Sequence, residues 1–338
     1  MEQRLFFKFG LLPPMPCLTW YQEYRNLLTT ENKRLRRESF DILWVEDVYS
    51  WPFALDIARK LETKPKIRIC NSYNIESNVA ARTAALVNDS STKEAIQRDG
   101  QQLASMEREA YSRSQLTIVC SEEDRISGLR LCPSANFAVI GNGVDTAYFS
   151  STEQPEKSYG KPLILFTGTF SYGPNHQAAN YFSSEVLPLI RRQIPEVTFM
   201  IAGSQAASTY DHLKKLGIEV ACVSDPADIR PCFVNASLFI VPLQTGGGTR
   251  LKILEAMAMG VPVVSTTIGA EGLGAQDHKH LMIADNAETF ANRCIEVLKN
   301  SECQQQLSQN ALTWVRENYD WNLLCNQAKN SVESLLGA

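Results

Sequence analysis

The chain has 338 residues, room for about two domains, and its apolar and charged shares of 44% and 21% are those of an ordinary globular protein. Its net charge is −4, carried by residues 151–338 while residues 1–150 are neutral, which excludes the basic excess of a nucleic-acid-binding surface. No apolar run approaches the ~20 residues that span a bilayer, and the nine cysteines and four histidines show no C-x-x-C or zinc spacing. Reduced thiols in a cytoplasmic protein are therefore expected, with no metal and no resident cofactor.

Along the first half, LFFKFGLL at 5–12 is short and holds Lys8, unlike a cleavable signal. Residues 18–38 read as a helix ending in KRLRRE, either a solvated face or a peripheral contact with anionic lipid at the inner membrane face. No strand is legible over 1–40. DILWVE (41–46), KIRIC (66–70) and LTIVC (116–120) read as strands, and FAVIGNGVD (137–145) as a strand running into a turn. Ser121 to Asp124 has the form of a capping box. Residues 150–161 read as a polar linker.

The second half is more regular. LILFTG (163–168), VTFMIAG (197–203), IEVACV (218–223), SLFIVPL (237–243), VPVVST (261–266) and LMIA (281–284) read as strands. Helices are expected near 174–192, 207–216, 226–234, 249–259, 287–299 and 301–317. Apolar strands alternating with helices indicate parallel α/β sheets. Phosphate-bearing ligands then belong at the carboxyl ends of the strands, where Gly168 and the run GGGTRLKILEAMAMGVP (246–262) both fall.

That run concentrates the chemistry. Gly246, Gly247 and Gly248 admit a ligand close to the backbone, and the helix after Thr249 presents unpaired N–H groups to an anion. Arg250 and Lys252 stand where the helix dipole is already positive, an arrangement that costs about 0.3–1 kcal/mol each unless an anion compensates. The run reads as a diphosphate-binding loop or as a glycine-rich turn with solvated cations and a Lys252–Glu255 pair; residues alone leave both open. Glu255, about 10 Å along the helix at 1.5 Å per residue, can reach a ribose diol. GTFSYGPN (168–175) has P-loop glycine spacing without the Lys-Ser/Thr, which disfavours a nucleoside triphosphatase. Glu46 and Asp47 end one strand, and Asn74 and Glu76 follow the next, so they are candidates for lining a second site.

The ordered string ILFTG…PN…VLP…IAGS…DIRP…VPLQTGGGTRLKILEAMAMGVPVVST…GAEGL over 163–273 resembles the group 1 (family 4) glycosyltransferases of GT-B fold. Weaker similarity extends from about 40 to 322 through NIES (74–77), VCSEEDR (119–125), IGNGVD (140–145) and YDW (319–321). The resemblance implies two Rossmann-like α/β domains facing a cleft. An N-terminal acceptor-side domain would span 1–148, joined by a C-terminal helix at 321–338, and a nucleotide-sugar-binding domain would span 149–320. The family's N-terminal Gly-rich loop and first strands have no counterpart, so the first domain is expected to be incomplete. It further implies donor contacts from Gly168, Gly246, Gly247, Gly248, Thr249 and Glu255, with Val223 and Ser224 beside the base. Arg250 and Lys252 would stabilise the reacting diphosphate, and Glu46, Asp47, Tyr73, Asn74 and Glu76 would lie on the acceptor side. Gly247 stands where the family's first E-x7-E glutamate falls, Thr169 and Asn175 where an Arg and a Lys are common, and Tyr73 where a histidine is common. The implied activity is retaining transfer from a nucleotide-diphospho-sugar to a glycan or lipid-linked acceptor in polysaccharide biosynthesis. A non-catalytic nucleotide-sugar-binding subunit, an inactive fragment and a sugar-nucleotide 2-epimerase are the competing expectations.

Overall fold

A computed structural model describes residues 4–7, 39–150, 161–245 and 250–337. The expected helix over 18–38, nearly all of the 150–161 linker, and Gly246, Gly247, Gly248 and Thr249 lie outside the described residues.

The chain divides into two compact units: residues 1–140 with 327–338, and residues 141–326. Both differ from the boundaries expected from sequence. Residues 141–148 go with the second unit because Val144 N donates to Tyr319 O at 2.8 Å, Trp321 N donates to Val144 O at 3.2 Å, and Thr146 Oγ1 donates to Asp320 Oδ2 at 2.5 Å. The last helix, Trp321–Leu336, begins in the second unit and ends in the first.

The first unit holds a five-stranded parallel sheet in the order β1 (Arg4–Phe7), β2 (Ile42–Glu46), β3 (Ile67–Ser72), β4 (Leu116–Val119), β5 (Phe137–Val139). β1 corrects the expectation that 1–40 holds no strand: four residues, one of them charged, carry no legible period, and pairing in register with Ile42–Val45 defines the strand. Alternation along the strands splits the core in two. Leu43, Val45, Cys70 and Val119 pack with Trp51, Ala54, Ala110 and Tyr111 of the crossover helices. Ile42, Ile67, Ile69, Leu116 and Ile118 face the other way and pack against Val332, Leu335 and Leu336 of the last helix. The strand order explains this. Each step runs to the next strand in one direction, and right-handed crossovers then place the described helices that connect β2 to β5 on one face. On the opposite face, among the described residues, the last helix packs instead.

The second unit holds a six-stranded parallel sheet, β6 (Leu163–Thr167), β7 (Thr198–Gly203), β8 (Ala221–Ser224), β9 (Leu238–Val241), β10 (Val263–Ser265) and β11 (Met282–Ile283), in the spatial order β11-β10-β9-β6-β7-β8. β6 and β9 are buried throughout, as their unbroken apolar runs require. The helix expected over 174–192 is two helices, Gly173–Tyr181 and Leu187–Arg191, joined by a π-turn over Phe182–Val186. Pro188 cannot donate to the carbonyl four residues back, and the wider turn just before it absorbs that loss. Helix starts follow their caps: Ser121 Oγ accepts from Asp124 N at 3.1 Å and Asn286 Oδ1 from Thr289 N at 2.9 Å.

Candidate functional site

The second sheet reverses direction between β6 and β9. The loops leaving these neighbours diverge, which opens a crevice at their carboxyl ends. A pocket of about 610 Å³ lies there, within the size range of small-ligand sites. It is lined by Thr167–Thr169 at the end of β6, Ala202–Ser204 at the end of β7, Asp225 and Pro226 after β8, and by Arg250 at the start of the helix Leu251–Ala258 and Leu251, Lys252 and Glu255 on it.

Backbone forms part of its wall because side chains cannot fit. Gly203 has φ +134°, and a Cβ there would lie 2.2 Å from Gly168 O. A Cβ on Gly168 would lie 2.9 Å from Lys252 Nζ and 2.8 Å from Asn175 Nδ2.

Lys252 is directed at β6. Its Nζ donates to Thr167 O at 2.6 Å and to Asn175 Oδ1 at 2.8 Å, and sits 4.6 Å from the centroid of the Phe166 ring. Asn175, buried in the first turn of the helix Gly173–Tyr181, is itself fixed by donating Nδ2 to Thr169 O at 2.9 Å. Desolvation, with Arg250 adding like-charge repulsion and Glu255 opposing both, lowers the Lys252 pKa to about 7. Arg250 is the N-cap residue, with φ −87° and ψ 88°, and its side chain does not cap the helix. Desolvation pulls its pKa down, against the pull of Tyr172 and Glu271. Glu255 is half-buried and raised by desolvation, with Lys252 acting the other way. A basic pair, a carboxylate and exposed glycine backbone thus converge on one pocket.

Of the donor-side residues expected from sequence, Gly168, Arg250, Lys252 and Glu255 line this pocket. Val223 packs at the edge of the core, and Ser224 Oγ accepts from Ala207 N and donates to Asp225 Oδ2. The wall at that point is Asp225 and Pro226 instead. Asp225, at φ +51°, accepts from Gln205 N at 3.0 Å, and its pKa is lowered chiefly by the Ser224 hydroxyl. Sequence reasoning missed Asn175 as the partner of Lys252, and also Gly203 and Asp225. IAG at the end of β7 was a usable signal for Gly203, since a strand that ends in glycine at a ligand crevice suggests close backbone approach.

In the first unit, β2 and β3 are neighbours, and pairing brings their carboxyl ends together. Glu46 accepts from Trp44 Nε1 at 2.9 Å, from Asn71 Nδ2 at 2.8 Å and from the Tyr73 hydroxyl. Glu76 accepts from Asn74 Nδ2 and from the Tyr49 hydroxyl, both at 3.3 Å. Asp47, at φ +64°, accepts from Ser50 N at 3.0 Å, and burial raises its pKa. Four of the five expected residues therefore form two networks, Glu46 with Tyr73 and Glu76 with Asn74, which recruit Trp44, Asn71 and Tyr49, while Asp47 caps its own turn. Among the described residues, no cluster of three or more His, Cys, Asp or Glu side chains is arranged to hold a metal ion.

Residues 161–300 match the family Glycosyl transferases group 1. Residues 161–300 are a group 1 glycosyltransferase domain. This domain contains all six strands of the second sheet and every residue lining the pocket. Two similar proteins are an uncharacterized 44.6 kDa protein in the cps region of Klebsiella pneumoniae, 30% identical over 46% of this chain and 42% of that one, and a phosphatidyl-myo-inositol mannosyltransferase of Mycobacterium leprae, 25% identical over 58% and 53%. The matches thus cover about half the length of these relatives. Among solved structures, sucrose-phosphate synthase from Thermosynechococcus elongatus matches with a TM-score of 0.69 over 95% of this chain and 78% of that one, at 14% identity. Anabaena Alr3699/HepE in complex with UDP-glucose matches with a TM-score of 0.68 over 95% and 84%, at 15% identity. The group 1 domain accordingly sits in a chain of GT-B fold.

Proposed function

We propose that the protein is a retaining glycosyltransferase that moves a sugar from a nucleotide-diphospho-sugar to a glycan or lipid-linked acceptor. The observation that carries this reading is the convergence of Arg250, Lys252 and bare glycine backbone at the switch-point pocket of the group 1 domain. The relatives' names, a mannosyltransferase and a cps-region protein, and the UDP-glucose complex of the Anabaena protein support it.

In this reading the diphosphate lies against the Gly168 backbone and the start of the helix Leu251–Ala258, with Gly246, Gly247, Gly248 and Thr249 supplying N–H groups. Glu255 accepts from the ribose hydroxyls, and the base lies toward Asp225, near Val223 and Ser224. The acceptor oxygen attacks the anomeric carbon on the face that the diphosphate leaves. The bond from that carbon to the phosphate oxygen breaks, the new glycosidic bond forms, and the acceptor proton passes to the departing phosphate. No protein nucleophile is needed. Arg250 and Lys252 stabilise the charge that develops on the diphosphate, and positioning supplies the rest. Glu46, Asp47, Tyr73, Asn74 and Glu76 are assigned to the acceptor, which is met at the inner face of a membrane. Among the described residues, no helix is long and apolar enough to cross a membrane.

Incubation with UDP-, GDP- and ADP-sugars is expected to release one nucleoside diphosphate, and Arg250→Ala to weaken its binding by about 10–100-fold, the loss of a charge-assisted contact. No turnover together with an unchanged affinity in Arg250→Ala overturns the assignment. Binding without turnover instead favours a nucleotide-sugar-binding subunit.

A further inference from the structure

Lys252 Nζ has the surroundings of an ammonium. It donates to Thr167 O at 2.6 Å and to Asn175 Oδ1 at 2.8 Å and lies over the Phe166 ring. An ammonium has three N–H donors, and among the described residues the third meets no acceptor. Lys252 lines the pocket, so a ligand there can take that bond. Held by Thr167 O alone, an ammonium on a flexible four-carbon stem is free to turn. Asn175 removes that freedom because it is itself fixed. It is buried, its Nδ2 donates to Thr169 O at 2.9 Å, and its backbone N donates to Tyr172 O at 3.0 Å. Its amide has one workable orientation, since a flip would set an NH₂ group against the ammonium and an oxygen against the Thr169 carbonyl. Through Lys252 and Asn175, the carbonyls on both sides of Gly168 are occupied by donors, and the turn and the cation are held as one piece.

We propose that Asn175 is a positioning residue of the donor site that acts through Lys252, aiming the ammonium so that its remaining N–H meets an oxygen of the bound diphosphate. This rests on the nucleotide-sugar reading of the same pocket. A cation already aimed needs no reorganisation when the ligand arrives or when charge develops on it, and that is where a fixed donor gains over a mobile one. The neutral amide suits the task. A carboxylate at the same place would pair with the ammonium and cancel the charge meant for the ligand, whereas Asn175 Oδ1 orients Nζ and leaves its charge in place. Asn175 also lines the pocket, and Nδ2 has a second N–H, so a direct contact with the ligand is the rival role. A direct contact, or a merely structural one, works with or without Lys252. A positioning role disappears when Lys252 does.

The test is a double-mutant cycle on the full-length protein, read by calorimetry with UDP, GDP and ADP at pH 6.5, on the ammonium side of a Lys252 pKa of about 7. Asn175→Ala is expected to weaken the nucleotide that binds by about 3–30-fold when Lys252 is present, and by less than about twofold in the Lys252→Met background. Asn175→Leu repeats the cycle with the space filled, should Asn175→Ala fail to fold, and the same pattern is expected; cooperative urea melts identify the folded variants. A loss of similar size in both backgrounds, or no loss in either, overturns the positioning role and leaves the nucleotide reading standing. Failure of the wild type to bind any of the three nucleotides overturns the nucleotide reading, and the positioning role with it.

Discussion

The two parallel sheets handle their strand order differently. In the first, β1 to β5 lie side by side in chain order; in the second, the order doubles back so that β6 and β9 are neighbours. The doubling back opens a crevice, and the group 1 domain fills it with glycines and a basic pair. The first sheet has no such reversal. Its strand ends at β2 and β3 are instead closed by carboxylate, amide and tyrosine side chains bonded to one another. Among the described residues, winding in one direction also keeps the crossover helices to one face of the first sheet, and the last helix packs on the other. Topology thus separates a sheet that makes a pocket from one on which the last helix packs.

The sharpest way to break this contrast is Gly203→Ala. The new methyl would meet the Gly168 carbonyl in a backbone region that other residues avoid, and a loss of about 4 kcal/mol in the second unit is expected. Denaturant unfolding followed by a probe in that unit checks it; a loss below ~1 kcal/mol would show that the two glycines are not packed as described. A smaller effect tests the electrostatics of the pocket through Lys252→Met. The native lysine releases its proton near pH 7 and the unfolded one near 10.5, so between these values the unfolded chain binds more protons. Wild-type stability from this group therefore rises with pH across that window. Any advantage of Lys252→Met at pH 6.5 is expected to shrink, or any deficit to grow, by pH 10. A pH-independent difference in urea melts contradicts the buried lysine. The smallest effect concerns the covered face of the first sheet. Val332→Ala is expected to cost about 1–2 kcal/mol in the first unit while leaving nucleoside diphosphate affinity unchanged. Paired unfolding and binding curves decide it.

The alternation of apolar strands and helices was plain in the sequence because β6 and β9 are buried on both faces and read as unbroken apolar runs. Strand order was not, since periodicity says which face of a strand is buried and nothing about its neighbours. The strand Arg4–Phe7 was hidden for the related reason that pairing with Ile42–Val45, not pattern, makes it one. At the pocket, Arg250 and Lys252 stood out as cations against the grain of a helix start, and Glu255 as a carboxylate about one turn further on. The Asn175–Lys252 bond spans 77 residues, and nothing local marks it. The first-unit networks were legible as strand-end polar residues, but Tyr49 and Asn71 joined them only once β2 and β3 were placed side by side.

The last helix also bears on how the protein is made. The apolar face formed by Ile42, Ile67, Ile69, Leu116 and Ile118 is covered by Val332, Leu335 and Leu336, which leave the ribosome after the whole of residues 141–326. The unit translated second is continuous and can close while the unit translated first still lacks the Val332, Leu335 and Leu336 side chains of this face. During synthesis the first unit therefore waits for that part of its core through roughly two hundred residues of elongation, on the order of 10–40 s at 5–20 residues per second. That interval is where a chaperone would have its longest access to the chain.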